Sequence, residues 1–282
     1  FNLNLINQLK IPIVHNQNGV FYQSWYKSDF IKKNKQIIKQ YNKANYIFFQ
    51  SKFCREISFK YLGAAGCSYD VLYNAVDTSF FKPNFKKYSS DKFSFLITGK
   101  FGMHLKKSLI LSIMGINECN KLGYNFELNI DGYLENKLIN LIRELIHKLN
   151  LKNKIHINGK YTQEKANLVY NNNDAFIFLI YKAPCSNSVL EAMSSGLPVI
   201  YSDSGGTPEI VGDAGISLNV ENSFEKYHVP KLEDLTTGMI KIYKNHIIYA
   251  KNARNRAVNN FDIENWLNQH NELFNKLLKY GK

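Results

Sequence analysis

Residues 183–209 read APCSNSVLEAMSSGLPVIYSDSGGTPE and directly follow the apolar run at residues 175–180. An apolar run without alternation is typical of a strand that helices cover on both faces. The stretch therefore predicts a strand, a loop, a helix, a second strand and a glycine-rich loop, the order of a parallel α/β sheet. Ligands bind such sheets at the carboxyl ends of the strands. The residues expected at that edge are Ser186, Asn187, Glu191, Gly205 and Gly206.

The sequence around this stretch continues the alternation of strands and helices. We predict an amphipathic helix over residues 134–149 and strands near residues 93–98, 126–130, 154–157, 175–180, 198–202 and 215–218. This alternation favours a doubly wound parallel sheet. After Pro230 the chain is expected to be helical. Its last helix is predicted to begin after an N-cap at Asp262, with one apolar face formed by Ile263, Trp266, Leu267, Leu273, Phe274, Leu277 and Leu278.

The first part of the chain predicts a smaller α/β unit. Strands are expected near residues 11–14, 46–49 and 71–73, helices over 29–43 and 52–62, and a linker over 77–91. Three strands make a thin domain and the chain starts with Phe1, so we expect an incomplete N-terminal domain. The predicted bounds are 1–82 for that domain, 83–260 for the second domain and 261–282 for a final helix.

Composition places the chain among ordinary globular proteins. It has 282 residues, of which 45% are apolar and 21% charged, enough for about two domains. No apolar run approaches the roughly 20 residues that cross a bilayer. Four scattered cysteines without a CxxC pair argue against a zinc site and suggest a reduced, intracellular protein.

The net charge of +13 comes almost entirely from lysine, with arginine only at positions 55, 143, 254 and 256. Three explanations stay open. An AT-rich coding sequence enriches lysine, asparagine and isoleucine together, and an acidic membrane surface attracts lysine. Nucleic-acid binding is the least favoured, because base readout prefers arginine. We therefore expect no nucleic-acid partner and keep an anionic membrane surface as a candidate.

The helix after residue 183 predicts an anion site. Ser186 or Ser188 can cap it, and free backbone N–H groups at a helix start attract a phosphate. The chain contains no Asp-x-Asp pair, so lysines rather than a metal ion are expected to neutralise a diphosphate. Lys100, Lys106 and Lys107 fall in the loop predicted after the first strand of the second domain. The alternative is a group of solvated lysines.

Glu191 has two interpretations. Residues 188–191 fit the S-x-x-E capping box, which needs a helix that starts near Ser188. A helix that starts near Ser186 instead places Glu191 one turn below the anion site, where a carboxylate can bind a ribose diol. Gly205 and Gly206 have a similar ambiguity, since they either admit a ligand or only form a tight turn.

Two weaker signals complete the candidate residues. His15, Asn18 and Gly19 are expected just past the first strand, where a histidine can act as a base or donor but is more often structural. Asp131 and Gly132 are expected to form a turn at a strand end.

The order of these residues resembles the family 4 retaining glycosyltransferases of GT-B architecture. The resemblance is carried across the second domain by Gly99-Lys100, Lys106-Lys107, Asp131-Gly132, Gly159, PCSNSVLEAMSSGLPV at residues 184–199 and GGTPEIV at residues 205–211. In the first domain, FQSKF at residues 49–53 and VLYNAVDT at residues 71–78 are similar to that family as well.

This resemblance implies two Rossmann-like domains that face each other across a cleft, with a UDP- or GDP-sugar in the C-terminal one and no further cofactor. The last helix would cross back to the N-terminal domain. By carry-over, Glu191 binds the donor ribose. Lys106 or Lys107 binds the diphosphate with the amides near residues 187–188. The backbone around Gly159, Lys160 and Tyr161 meets the base. The catalytic candidates are Lys106, Lys107, Glu191, Asn18 and His15.

The chain departs from the family pattern at three places. The first glutamate of the family's paired motif is replaced by Ala183, the usual arginine near the diphosphate by Lys100, and the usual His-Gly by Asn18-Gly19. We predict a metal-independent hexosyltransferase with a glycan or lipid-linked acceptor, in polysaccharide biosynthesis. A cytoplasmic location is expected, with the basic region at residues 32–43 on the membrane's inner face. The alternatives are a catalytically impaired or binding-only GT-B module and a GT-B epimerase.

Overall fold

Two parallel sheets carry the fold in the computed structural model, which describes residues 11–84 and 92–280. Part of the predicted linker, residues 85–91, and the first ten residues lie outside the described residues. The first sheet has three strands and the second has six.

The smaller sheet contains β1 (Val14–Gln17), β2 (Tyr46–Phe49) and β3 (Ser68–Val71) in the order β1-β2-β3. Helices α1 (Phe30–Tyr41) and α2 (Lys52–Leu62) connect them. Ile47 and Phe49 of β2 are fully buried against Tyr41, Cys54 and Ile57 of the two helices.

The larger sheet contains β4 (Phe93–Phe101), β5 (Phe126–Leu134), β6 (Ile155–Gly159), β7 (Ala175–Phe178), β8 (Val199–Ser202) and β9 (Gly215–Leu218). Its helices are α3 (Lys106–Lys121), α4 (Asn136–Lys148), α5 (Gln163–Asn171), α6 (Asn187–Ser194), α7 (Thr207–Val211), α8 (Leu232–Lys244) and α9 (His246–Phe261). Buried side chains form one cluster on each face, which explains why β7 is apolar at every position.

The strand order β6-β5-β4-β7-β8-β9 fixes the position of the candidate site. From β4 the chain adds β5 and β6 on one side, and then returns to add β7, β8 and β9 on the other. The loops after β4 and β7 therefore diverge at a topological switch point, where parallel sheets bind ligands. The doubly wound sheet predicted from the alternation of elements is confirmed.

In the small sheet, β1 and β3 begin and end at other residues than predicted. β1 begins at Val14, not at residue 11, because Pro12 has no amide hydrogen and the Ile13 amide donates to the Asn45 side chain at 2.8 Å. β3 covers Ser68–Val71 rather than residues 71–73. His15 consequently lies inside β1 and not beyond its end.

β4 and β5 are longer than predicted and remain paired over nine residues each. Gly99 lies opposite Gly132, and a Cβ atom on Gly132 would come within 2.1 Å of the Gly99 carbonyl oxygen. The predicted turn at residues 131–132 is therefore wrong, because these glycines permit close strand pairing. Lys100 lies within β4 and not in a loop.

The helices agree better with the sequence, and α2 has the predicted bounds. The helix predicted from residue 134 begins at Asn136, since Leu134 ends β5. The last helix, α10 (Ile263–Tyr280), follows Asp262 and contacts the small sheet through His270, whose ring lies 4.7 Å from that of Phe48. Its predicted apolar face is only partly covered, because Leu267, Phe274 and Leu278 are exposed.

Candidate functional site

Helix α6 begins at the carboxyl end of β7, after the loop that contains Pro184. Ser186 is its N-cap residue, and within the described residues no side chain accepts a hydrogen bond from its first amides. The Ser186 and Ser188 hydroxyls bond to each other at 2.9 Å. The capping box from Ser188 to Glu191 is therefore not formed, and the structure selects the helix start at Ser186. The first turn of α6 presents free N–H groups.

Glu191 lies one turn further along α6 and is half-buried. Its Oε2 atom accepts a hydrogen bond of 2.7 Å from the hydroxyl of Tyr170, a fully buried residue of α5. Next to this pair, the Tyr161 hydroxyl lies 2.7 Å from the Thr98 hydroxyl of β4. The carboxylate is thus held by one tyrosine at the switch point between β4 and β7.

Burial raises the pKa of Glu191 above its usual value, and the hydrogen bond from Tyr170 lowers it in part. Burial also raises the pKa of Tyr170, and the neighbouring Glu191 charge adds to this shift. Tyr170 was not identified from the sequence. The available signal was its position on the inner face of α5, because a buried tyrosine hydroxyl needs a partner.

Lys106 and Lys107 form the first turn of α3 rather than part of a loop. Both side chains are exposed, and α3 also has no side-chain cap among the described residues. The next residue, Ser108, donates a hydrogen bond of 3.0 Å to the carbonyl oxygen of Leu179, just after β7. The start of α3 is therefore fixed beside the loop that leads to α6. The Lys106 amide itself donates to the Met103 carbonyl. The start of α3 therefore contributes its two lysines, and the start of α6 its free amides, to the same edge of the sheet.

Lys100 lies on the β5 side of the switch point. Its ammonium group is 5.9 Å from the centre of the Tyr133 ring, and that of Lys160 is 5.0 Å from the same ring. Gly159 ends β6 with a φ of +81°, and a Cβ atom there would contact no described residue within 4 Å. The residues predicted to meet a base thus border open space next to Tyr133.

Gly205 and Gly206 contact the protein itself. A Cβ atom on Gly205 would lie 2.5 Å from the Ala183 carbonyl oxygen, and one on Gly206 would lie 1.9 Å from that of Pro184. The Gly206 amide also donates to the Ala183 carbonyl at 2.8 Å. Both glycines are thus required by the close approach of two loops, which gives the tight-turn interpretation a specific cause.

Glu209 connects the two sheets. Its carboxylate accepts hydrogen bonds from the Lys52 and Phe53 amides at the start of α2, at 2.9 and 2.8 Å, and from the Tyr73 hydroxyl at 2.9 Å. The Ser51 hydroxyl oxygen accepts a hydrogen bond from the Cys54 amide, the next amide of α2. A residue of the large sheet therefore completes the cap of a helix in the small one.

Asn74 makes a second connection of this kind. Its side-chain amide donates to the Cys185 carbonyl at 3.0 Å and to the Asn187 side chain at 2.7 Å. The side-chain oxygen of Asn187 is therefore used between the two units, which leaves its side-chain NH2 group and its backbone amide for a ligand.

The three candidate residues from the first part of the chain, His15, Asn18 and Gly19, have different surroundings. The ring of His15 lies in β1 and bonds Gln17 through Nε2 at 2.7 Å, so its position past the strand end was wrong. Asn18 is exposed, and Gly19, with a φ of +119°, lies against Pro184 across the cleft.

Lys182 precedes Ala183 and was not singled out from the sequence. It has a φ of +53° and is buried, with its ammonium group bonded to the Asn222 side chain and 4.0 Å from the centre of the Phe224 ring. Burial lowers its pKa, and the neighbouring Lys60 charge lowers it further. This lysine holds the loop beside Ala183 in a strained conformation.

Within residues 11–84 and 92–280, no group of three or more His, Cys, Asp or Glu side chains has an arrangement suited to a metal ion. In the same part of the chain, no helix combines the length and hydropathy needed to span a membrane.

Two relatives of known sequence match less than half of the chain. An uncharacterized glycosyltransferase of Methanocaldococcus jannaschii is 31% identical over 134 residues, 45% of this chain and 32% of that protein. The mannosylfructose-phosphate synthase of Agrobacterium fabrum is 26% identical over 120 residues, 43% of this chain and 25% of that protein. The chain thus matches about a third or less of the length of these relatives.

Solved structures match nearly the whole chain. Sucrose-phosphate synthase from Thermosynechococcus elongatus has a TM-score of 0.80 at 16% identity, covering 98% of this chain and 70% of that structure. The Anabaena protein HepE in complex with UDP has a TM-score of 0.75 at 16% identity, covering 96% and 74%. At these identities the likeness establishes the fold, two parallel α/β units in the GT-B arrangement.

The family model for glycosyl transferases group 1 matches residues 86–260, which include the whole large sheet. The chain therefore belongs to the glycosyl transferases group 1 family, and it has a GT-B fold.

Proposed function

We propose that the protein transfers a hexose from a UDP- or GDP-sugar to a glycan or lipid-linked acceptor, in polysaccharide biosynthesis, with retention of anomeric configuration and without a metal ion. The observation that carries the proposal is the edge at the switch point. There α6, which carries Glu191, and α3, which begins with Lys106 and Lys107, follow the neighbouring strands β7 and β4. The UDP complexes of HepE, a protein of the same fold, support a nucleotide-sugar donor.

Each part of this edge has a role in the proposed reaction. The second carboxylate oxygen of Glu191 is left to accept hydrogen bonds from the donor ribose. Lys106, Lys107 and the α6 amides neutralise the diphosphate as it leaves, which stabilises developing charge in the transition state. Asn18 lines the same cavity as Ala183 and Pro184, and it remains the candidate for contact with the transferred sugar.

The experiment is titration of the chain with UDP, GDP and their hexose conjugates by calorimetry, in the presence of a chelator. We expect binding of one nucleotide series without added divalent cation, and about tenfold weaker binding by Glu191→Gln through loss of a charge-assisted hydrogen bond. Unchanged affinity in the variant, or binding that needs a cation, contradicts the proposal. Retention is checked by the anomeric configuration of the product.

A binding-only module is the second candidate, favoured by Ala183 and the buried ammonium of Lys182 beside it. The two candidates differ in turnover. A module of this kind binds the nucleotide-sugar in the titration but produces neither transfer nor hydrolysis when the donor is incubated with stoichiometric protein.

For location, we propose the cytoplasm at the inner membrane face. The exposed Lys32, Lys33, Lys35 and Lys39 of α1 form the contact, because anionic lipids attract such a cluster. Vesicle binding by the chain should increase with anionic lipid and decrease with salt. Binding that ignores both contradicts this location.

A further inference from the structure

A cavity of about 340 Å³ lies in the cleft between the two sheets, here called the cleft pocket. Its walls are residues 18–22 and Trp25 after β1, Ile37 of α1, Ile57 of α2, and residues 180–184 after β7. This volume is at the lower end of the roughly 300–1,000 Å³ typical of ligand sites.

The surface of the cleft pocket is mainly hydrocarbon. Val20, Phe21, Ile37, Ile57 and Ile180 supply its aliphatic and aromatic side chains, and Trp25 is 48% exposed at its rim. No acidic side chain occurs among the described residues that line it. A ligand that covers this surface binds more strongly in proportion to the apolar area that it removes from water.

Apart from the exposed Asn18 at one end, most polar groups of the lining already have partners within the protein. The Tyr22 hydroxyl donates to the Lys182 carbonyl at 3.1 Å, and the Phe21 amide and carbonyl both bond the Asn34 side chain. The Gly19 carbonyl accepts from Gln17, and the Lys182 amide donates to Ser204 at 3.0 Å. A sugar placed deep in this pocket would find few free hydrogen-bond partners, and burial of its hydroxyls would be costly.

Charge on α1 indicates how such a ligand arrives. Ile37 faces the cleft pocket, whereas Lys32, Lys33, Lys35 and Lys39 of the same helix are exposed. One helix thus combines an apolar inner face with a cationic outer one, which matches a molecule that has a hydrocarbon chain and an anionic head group.

We propose that the cleft pocket binds the hydrocarbon chain of an amphiphilic acceptor. This inference rests on the proposed function, since it names the acceptor class of the same cleft. The hydrocarbon chain of the acceptor lies between Ile37 and Ile180. Its head group, which is to be glycosylated, lies toward Asn18 and the carboxyl edge of the large sheet.

The test uses methyl, hexyl and octyl β-D-glucosides as probes, each below its micelle concentration. Trp25 lines the cleft pocket and Trp266 is the second tryptophan of the chain, so Trp266→Phe leaves Trp25 as the reporter of fluorescence. We expect the dissociation constant to fall roughly two- to fourfold for each added methylene. Equal affinities across the series, or signals only from micelles, overturn the proposal.

Ile37→Asn and Ile38→Asn form a matched pair, because both side chains pack in the core of the small domain but only Ile37 lines the cleft pocket. We expect Ile37→Asn to weaken octyl glucoside binding about tenfold and Ile38→Asn to have little effect. Equal losses in both variants overturn the proposal. If Ile37→Asn does not fold, Ile180→Asn in the opposite wall replaces it.

Nucleotide titration separates the two proposals. If the protein binds UDP or GDP but its affinity for the glucosides does not depend on alkyl length, the proposed function stands and this inference is wrong. If the protein binds no nucleotide, the proposed function is wrong, whatever the affinities for the glucosides are.

Discussion

The start of α6 and the segment from Gly205 to Glu209 both follow strands of the large sheet, and both contain residues expected to bind the donor. Their surroundings are different. At the start of α6 the amides lack a side-chain cap within the described residues, and Glu191 has a single tyrosine partner. In the second segment, Gly206 is packed against Pro184 and Ser51, and Glu209 has three partners from the small domain.

This difference separates ligand binding from domain attachment. Polar groups that the protein already satisfies have little to gain from a ligand, whereas free amides and a partly desolvated carboxylate do. We infer that the first region holds the donor and the second fixes the cleft that surrounds it. Four variants test this division through their effect on the free energy of unfolding.

The largest effect is expected from Gly206→Ala. Its methyl group would lie 1.9 Å from the Pro184 carbonyl oxygen and 2.7 Å from the Ser51 hydroxyl, so the loops must separate. We expect a loss of about 3 kcal/mol in chemical denaturation. Gly66→Ala is the control, because a Cβ atom there meets no described residue within 4 Å, and its effect should be within about 0.5 kcal/mol. Similar losses in the two variants would contradict close packing at Gly206.

Glu209→Ala comes next, with an expected loss of about 1–3 kcal/mol, because the first amides of α2 and the Tyr73 hydroxyl lose their acceptor. Thermal unfolding followed by circular dichroism gives the measurement. Glu56→Ala, at an exposed position of α2, should change stability far less. If the two glutamate variants unfold alike, Glu209 does not attach the domains.

Glu191→Gln should have a smaller effect of opposite sign. Because the folded protein has a raised Glu191 pKa, it binds the proton more readily than the unfolded chain, so ionisation costs stability as pH rises through and above the usual value of 4.5. The variant avoids this cost. Its melting temperature should exceed that of the parent at pH 7, and the difference should shrink toward pH 4.

A Glu191→Gln variant that is less stable than the parent at pH 7 would contradict the desolvation of this carboxylate. The exposed Glu56→Gln, measured over the same pH range, controls for the loss of one negative charge.

The smallest effect on stability is expected from Lys106→Ala with Lys107→Ala, within about 0.5 kcal/mol, since both side chains are exposed. The same double variant should bind a nucleoside diphosphate about tenfold more weakly, which calorimetry measures. The control is Lys148→Ala with Lys152→Ala, which removes the same charge at exposed positions at the end of α4 and in the loop before β6. These two lysines precede a strand, whereas Lys106 and Lys107 follow one. Equal affinity in both double variants would mean that only net charge attracts the nucleotide.

The sequence by itself determined the order of elements in the large sheet, because apolar runs of strand length and a 3.6-residue helical period arise from local geometry. It also determined that Glu191, Lys106 and Lys107 follow strands that end at one edge. The bounds of β1, β4 and β5 could not be predicted, since a strand extends only as far as its neighbour pairs with it.

Only the tertiary structure decided the role of residues whose partners are distant in sequence. Tyr170 fixes Glu191, Glu209 caps a helix 156 residues away, and Gly132 serves a strand pair rather than a turn. The physical reason is that hydrogen-bond satisfaction and close packing depend on which groups meet in space. Residue type and spacing indicate what a side chain can do, and its neighbours in the folded chain determine which of these possibilities remains.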